Sequence, residues 1–377
     1  MSKYTALLIV FFLFISLEDA KAQESEFNPI TTGVPFLLVA PDARAGGIAD
    51  IGVATSPDAF SQYYNAAKYA FSESKYLLGV SYTPWLRQLA NDMYIAALSF
   101  SNKIDDRSAW SGSFSYFSLG DIELTLDGEN FSLERMYELK LDGSYALKLS
   151  ENYSMAMTLR YILSDLSIQG AANSTAIDVV NAFSFDISGY YQSKTIDYKD
   201  FKGMWRGGYS IYNIGPKISY IENGNENFLP ANLKLGGGFD FIFDEFNTLS
   251  TFLEFNKLLV PTPPTRDASG NITEGKDNNV NFVTGVFQSF SDAPRGFSEE
   301  LEEFSVGIGA EYVYQEDFAF RAGYYSNSDN KGGGKYITMG TGFKFESSTI
   351  DISYLFNTSN INNPLENTLR FTLSFML

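Results

Sequence analysis

From about residue 76 to Leu377 apolar side chains recur at every second position, in segments of about ten residues. A period of two commits a chain to β-strands with one greasy face and one polar face. The last segment reads Leu369, Phe371, Leu373, Phe375 and Leu377 against Arg370, Thr372, Ser374 and Met376. The one before it sets Ile350, Ile352, Tyr354 and Phe356 against Asp351, Ser353 and Asn357, with Leu355 the exception. Read this way the chain carries about fourteen strands, near residues 76–83, 92–103, 107–118, 134–149, 152–164, 178–192, 205–222, 231–243, 246–257, 301–314, 317–327, 335–345, 348–357 and 366–377. Pro216 lies inside the seventh and predicts a bulge or an edge-like kink there.

Alternation alone suits a soluble sandwich as well as a membrane barrel, so the placement of charge and the spacing of strands must decide. The polar faces carry Arg160, Asp186, Lys234, Asp240, Glu254, Glu311, Arg321, Asp351 and Arg370, both signs mixed, as a wet or salt-bridged lumen requires. The apolar faces are nearly free of charge at the strand centres, where Arg or Lys would cost ~2–4 kcal/mol at a bilayer midplane. Tight joints (Lys103 to Asp106, Ser150-Glu151, Asp244-Glu245, Gln315-Glu316, Glu346-Ser347) alternate with long ones (Ser118 to Leu133, Asp165 to Ile177, Leu258 to Glu300, Ser326 to Gly334, Thr358 to Leu365). That asymmetry belongs to outer-membrane barrels, with the tight joints periplasmic. Ser193 to Met204 breaks the rule as a longer connection on the periplasmic side.

The first 22 residues read as a cleaved signal peptide: an apolar run from Ala6 to Leu17, then Ala20-Lys21-Ala22, the small-x-small cleavage pattern. About a dozen apolar residues are too few for a spanning helix, and no later stretch approaches the ~18 that one needs. The predicted fold is therefore all-β, a transmembrane antiparallel barrel of about 14 strands over 76–377, located in the cell outer membrane and surrounded by its lipid. Cys and His are both absent, which removes Ser-His-Asp and Cys-His nucleophile systems and most zinc sites, and the chain is read as no enzyme, with no cofactor and no metal. A net charge of −18 excludes nucleic acid as a partner. The carboxylate pairs Asp105-Asp106 and Glu302-Glu303 read as solvated turns. Gly332-Gly333-Gly334-Lys335 reads as a loop tip, because Tyr336 stands where a phosphate loop needs Ser or Thr.

Residues 23–75 do not alternate. They hold Pro29, Pro35, Pro41 and Pro57, a Gly46-Gly47 pair and Asn65-Ala66-Ala67, which predict turns and short helices. A barrel of about fourteen strands encloses more space than its wall side chains fill, so this segment is read as an N-terminal hatch plugging the lumen; a periplasmic tail is the alternative.

The run Pro35-Phe36-Leu37-Leu38-Val39-Ala40-Pro41-Asp42-Ala43-Arg44-Ala45-Gly46-Gly47-Ile48-Ala49-Asp50-Ile51-Gly52-Val53-Ala54-Thr55, continuing through Ser56-Pro57-Asp58-Ala59 to Tyr63-Tyr64-Asn65-Ala66-Ala67, resembles the N-terminal signature of the PorV (LptO-type) proteins of the Bacteroidetes type IX secretion system. That family is similar in architecture to the FadL fatty-acid channels, with fourteen strands and a hatch. Ala66 is a departure, since the wider superfamily usually has Pro there. The matching hatch and lumen residues are Pro41, Asp42, Arg44, Gly46, Gly47, Asp58 and Asn65; Asp42 and Arg44 are read as a lumen ion pair and the glycines as points of close approach to the wall. The resemblance implies association with an SprA-type translocon barrel, binding of cargo C-terminal signal domains, and delivery to a PorU-type sortase attachment complex. The alternatives are a FadL-like channel for hydrophobic small molecules and, from the family's other name, lipid A modification, for which no catalytic constellation is present.

The connection from Leu258 to Glu300 is too long for a mere joint. It has a stiff start at Pro261 to Pro264, an apolar middle with Phe282, Val286, Phe287 and Phe290, and an acidic end at Glu299 to Glu303. It is read as a partner-binding loop, the alternative being a merely solvated one.

Overall fold

The computed structural model describes residues 27–85, 92–126, 130–167, 177–359 and 366–377, with side chains omitted over 122–134. The signal peptide reading therefore falls outside the described residues. Fourteen antiparallel strands close into a barrel: β1 (Tyr76–Pro84), β2 (Met93–Lys103), β3 (Ser108–Leu126), β4 (Asn130–Lys148), β5 (Tyr153–Asp165), β6 (Val180–Gln192), β7 (Lys202–Ile214), β8 (Asn232–Ile242), β9 (Asn247–Leu258), β10 (Phe304–Tyr314), β11 (Phe318–Ser326), β12 (Lys335–Phe345), β13 (Ser348–Asn357) and β14 (Leu369–Met376). Each strand pairs with its sequence neighbours, and β1 pairs with β14 to close the ring, so no sheet edge is left unpaired in the wall. Among the described residues no helix is long and apolar enough to cross a membrane.

The alternation resolves as the charges required. Val80, Tyr82, Leu98, Leu141, Met157, Leu159, Phe183, Ile308, Phe320 and Ile350 lie exposed on the outer surface, while Ser81, Ser99, Lys140, Asp142, Arg160, Asp186, Glu254, Glu311, Arg321 and Arg370 are buried inside. An inside this polar is stable because cross-strand register puts opposite charges side by side. Arg160 stands opposite Asp142 and Arg321 opposite Glu311. The side-chain bonds are then 2.6 Å in both pairs.

Three expectations about the wall need correction. The long connection from Ser118 to Leu133 is largely strand: β3 and β4 continue to Leu126 and back from Asn130 as a tall hairpin, with a register shift between Ser118 and Asp121 where Gly120 takes φ +85°. The seventh strand ends at Ile214, and its irregularity falls not at Pro216 but at Tyr212–Asn213, two residues facing the single Asp186, with Asn213 at φ +60°. Pro216 only follows the end of pairing. The segment 301–314 begins as helix, since Phe297–Glu302 is helical and pairing starts at Phe304. The irregular stretch Ser193 to Met204 folds back as a small hairpin pairing Ile196–Asp197 with β7.

Candidate functional site

Among the described residues, one long irregular segment runs inside the barrel and another, after β9, sits on top of it. Residues 27–75 run through the lumen from the long-loop end, where the Asn28 amide donates to the Asn330 carbonyl, to the tight-turn end at Tyr76. They form short helical turns at Pro35–Leu38, Ala43–Gly46, Ser61–Tyr64 and Ala66–Phe71. Turns this short leave most of their backbone groups unpaired, and wall side chains supply the partners. Thr372 accepts from the Ala43 amide and Thr338 from the Ala49 amide, both at 2.8 Å. Glu254 accepts from Gly52 and Val53, each at 3.0 Å, and Ser154 donates to the Ala67 carbonyl at 2.7 Å.

Each hatch residue singled out in the sequence can now be placed. Asp42 and Arg44 do not form an ion pair with each other. Asp42 caps the turn that follows, accepting from the Ala45 amide at 3.0 Å and from the Tyr64 hydroxyl at 2.7 Å. Arg44 points away from it into a charge chain: Asp58 at 2.8 Å, then Glu311, which receives Arg44 at 2.8 and 3.1 Å, then Arg321 and Asp351 at 2.6 Å each. Adjacent signature residues diverge because a short side chain one step before a helical turn reaches the turn's own amides first. Asn65 donates to the Val53 and Gly189 carbonyls, both at 2.9 Å, and so ties one stretch of the hatch to another and to the wall. The Pro41 carbonyl accepts from Thr83 at 3.4 Å.

Gly46 and Gly47 do mark close approach. A Cβ on Gly46 would lie 2.4 Å from Arg370, and one on Gly47 would lie 3.0 Å from the Gly340 Cα. The wall answers in kind. Gly208, Gly238, Gly309, Gly323 and Gly340 all face inward, and a Cβ on any of them would fall 2.4–3.3 Å from hatch residues 47–54. Sequence reasoning missed these wall glycines, although the signal was there: Gly307, Gly309 and Glu311 share one parity, as do Gly236, Gly238 and Asp240. Asp50, at φ +60° beside Ala49 at +61°, is held in that left-handed turn by an ion pair to Arg370 and by the Tyr336 hydroxyl.

The segment after β9 is a folded cap. It contains a small hairpin, Thr265–Arg266 with Ile272–Glu274, and helices Phe282–Gln288 and Phe297–Glu302. Its carboxylates turn inward. Lys257 bonds Glu300 and Glu303, Lys331 reaches Glu299 at 2.6 Å and Glu303 at 3.1 Å, and Glu300 accepts the Asp292 and Ala293 amides. Burial and the nearby Glu300 and Glu303 push Asp292 up to about 6. Glu302-Glu303 is therefore not a solvated turn: Glu303 is 7% exposed. The apolar residues turn outward instead. Of the four predicted contacts, Phe287 and Phe290 are exposed while Phe282 and Val286 are half-buried; Val283, Phe297 and Leu301, which the sequence reading did not single out, complete the exposed face.

A fourteen-stranded barrel with lipid-facing apolar walls and a lumen stopped by its own N-terminal segment is an outer-membrane protein of the plugged-barrel class. Residues 21–265 match the model of one family, described as "Type IX secretion system protein PorV". The chain belongs to that family and is an outer-membrane component of type IX secretion. No curated protein matches it. Solved structures with a similar trace include the CymD monoaromatic hydrocarbon channel (12% identity, TM-score 0.49, covering 90% of this chain and 98% of that one). A Pseudomonas aeruginosa FadL homologue matches at 11% identity and TM-score 0.44, covering 90% of this chain and 99% of that one. The Pseudomonas putida toluene transporter TodX matches at 11% and 0.48, covering 90% and 98%.

Proposed function

We propose that this protein receives the C-terminal signal domains of exported cargo at an SprA-type translocon barrel and carries them to a PorU-type attachment complex on the cell surface, after its own export by a leader over residues 1–22. The observation that supports this is the inverted cap. Phe287 and Phe297 are 74% and 76% exposed on a stem fixed by Lys257 and Lys331, whereas a loop with no partner keeps such residues covered. Rings presented on a pre-ordered scaffold cost little entropy on binding, which suits a carrier that must capture and release. The buried carboxylates serve to hold the stem rather than to catalyse.

The test is a gene deletion with cell-surface and periplasmic proteomics, together with capture from mild detergent. The carrier reading requires cargo stranded in the periplasm and a large barrel or cargo co-purifying with the protein. Normal cargo display with a growth defect on lipid substrates would instead favour passage of hydrophobic molecules.

A further inference from the structure

The connection from Ser193 to Met204 is long for the tight-turn end, and its length goes into a hairpin that carries the wall onward. Ile196 pairs with Gly203 and Asp197 with Lys202, and at the tip the Tyr198 amide donates to the Phe201 carbonyl at 2.9 Å. Support from the wall is one-sided. β8 follows the second arm as far as Lys202, opposite Ile242, but on the other side β5 starts at Tyr153, opposite Tyr191. Beyond Gln192 the first arm has no wall strand beside it among the described residues.

The hairpin has two unlike faces. Asp197 and its partner Lys202 lie on one, both exposed. Ile196 and Tyr198 lie on the other, with Gly203 and Trp205, and are exposed as well. On that second face the rings form an unbroken column with the outer wall. Ring centres are 4.5 Å apart between Trp205 and Phe239, 4.6 Å between Phe239 and Phe241, 5.3 Å between Phe241 and Phe201, and 5.2 Å between Phe201 and Tyr198. Gly203 makes room for them, since a Cβ there would lie 2.4 Å from Phe239 and 2.9 Å from Tyr198. The Trp205 indole N–H donates to the Tyr198 hydroxyl at 3.3 Å. In water this column would be a contiguous apolar patch. Rings with a polar tip at the end of an apolar wall are instead the composition of a belt at the membrane–water boundary. Continuity selects lipid as the occupant over a protein, because β7 and β8 already face acyl chains and the column runs from them into the hairpin without a break. We infer that the Ser193–Met204 hairpin docks on the periplasmic leaflet, with Ile196, Tyr198 and Phe201 against phospholipid at the boundary of acyl chains and headgroups, and Asp197 and Lys202 toward water. It anchors the β6–β8 side of the barrel at a set depth.

The chain has no cysteine, so a single introduced thiol carries a nitroxide spin label without ambiguity. Ile196→Cys and Lys202→Cys place it on the two faces of the hairpin, while Leu253→Cys on the outer wall and Glu316→Cys at a tight turn serve as lipid and water references. The full chain would be reconstituted in nanodiscs of phosphatidylethanolamine and phosphatidylglycerol, and collisions of the label with oxygen, which partitions into lipid, compared with those of an aqueous nickel chelate. The oxygen-to-nickel ratio at 196 should approach that at 253 and exceed that at 202 by about fivefold or more, while 202 matches 316. Adding Tyr198→Ser with Phe201→Ser should bring 196 down to the ratio at 202, with heat-modifiable gel mobility still that of the folded barrel; Tyr198→Ser alone gives the same test if the double variant does not fold. Equal ratios at 196 and 202, whether both water-like or both lipid-like, would overturn the assignment. So would protection of 196 in native outer membranes but not in nanodiscs, since a protein would then be the occupant. None of these outcomes bears on cargo capture, which rests on the external cap.

Discussion

The hatch and the external cap are built from the same materials and put them the opposite way round. Both are irregular segments with short helical turns, and both are held by ion pairs to the barrel. In the hatch, Ile48, Val53, Ala67 and Tyr69 are fully buried and the backbone approaches wall glycines. In the cap, Glu299, Glu300 and Asp292 are buried and Phe287, Phe290, Phe297 and Leu301 stand in the open. A segment that buries its apolar groups is stabilised by them. One that exposes its large apolar groups leans on its polar groups instead and keeps that apolar surface for a partner. The difference separates a plug from a docking surface.

The largest effect should come from breaking the hatch's charge chain. Arg44→Ala leaves Glu311 to Arg321 alone and Asp58 to a longer contact with Lys68, and with the charges only partly compensated the loss should approach the ~3–5 kcal/mol of a broken buried pair. Urea unfolding of the reconstituted barrel should report a loss of that order, with hydrogen exchange rising first over residues 43–58. If the variant matches wild type, the chain is ornamental. Next is the glycine lining. Gly323→Val would drive a side chain into Ile48 and Ala49, where a Cβ already meets backbone at 2.4 Å, and overpacking of this kind costs about 1–3 kcal/mol. Gly143→Val, where a Cβ has nothing within 4 Å, should leave stability within about 0.5 kcal/mol. Equal effects at the two positions would contradict hatch contact.

The cap answers differently to substitution. Because Asp292 is pushed up from 3.8 to about 6, it stabilises the cap in its protonated form. That contribution is full below pH 3.8 and lost as pH rises through about 6. Asp292→Asn should therefore raise hydrogen-exchange protection of residues 282–302 at pH 8 and flatten its dependence between about pH 4 and 6; an unchanged profile would mean the carboxylate is not confined as described. The smallest stability effect, within about 0.5 kcal/mol, is expected for Phe287→Asp and Phe297→Asp, which stabilise nothing in the isolated protein.

How far the sequence reached follows the same division. The barrel was legible because a period of two with charge on one parity has few solutions, and Arg321, Glu311 and Arg160 all lie where that parity put them. Tyr76 begins the first strand where alternation begins. Pairing outside that period was not legible. Asp42 and Arg44 are two apart and of opposite sign, yet their partners, Tyr64 on one side and Glu311 on the other, are 22 and 267 residues away. The height of the β3–β4 hairpin escaped because Gly120 interrupts the alternation while the ladder continues past it. In the cap, the aromatic residues of 282–290 were legible as a surface, but Phe297 and Leu301 were hidden in a stretch that reads as acidic and as the start of a strand.

The most direct test of the carrier assignment is capture from native membranes in mild detergent, comparing wild type, Phe287→Asp/Phe297→Asp and Gly323→Val at equal amounts of folded barrel. The cap variant should lose the large translocon barrel and cargo while unfolding as wild type does, and the hatch variant should retain both despite its lower stability. Retention of both partners by the cap variant would contradict the account.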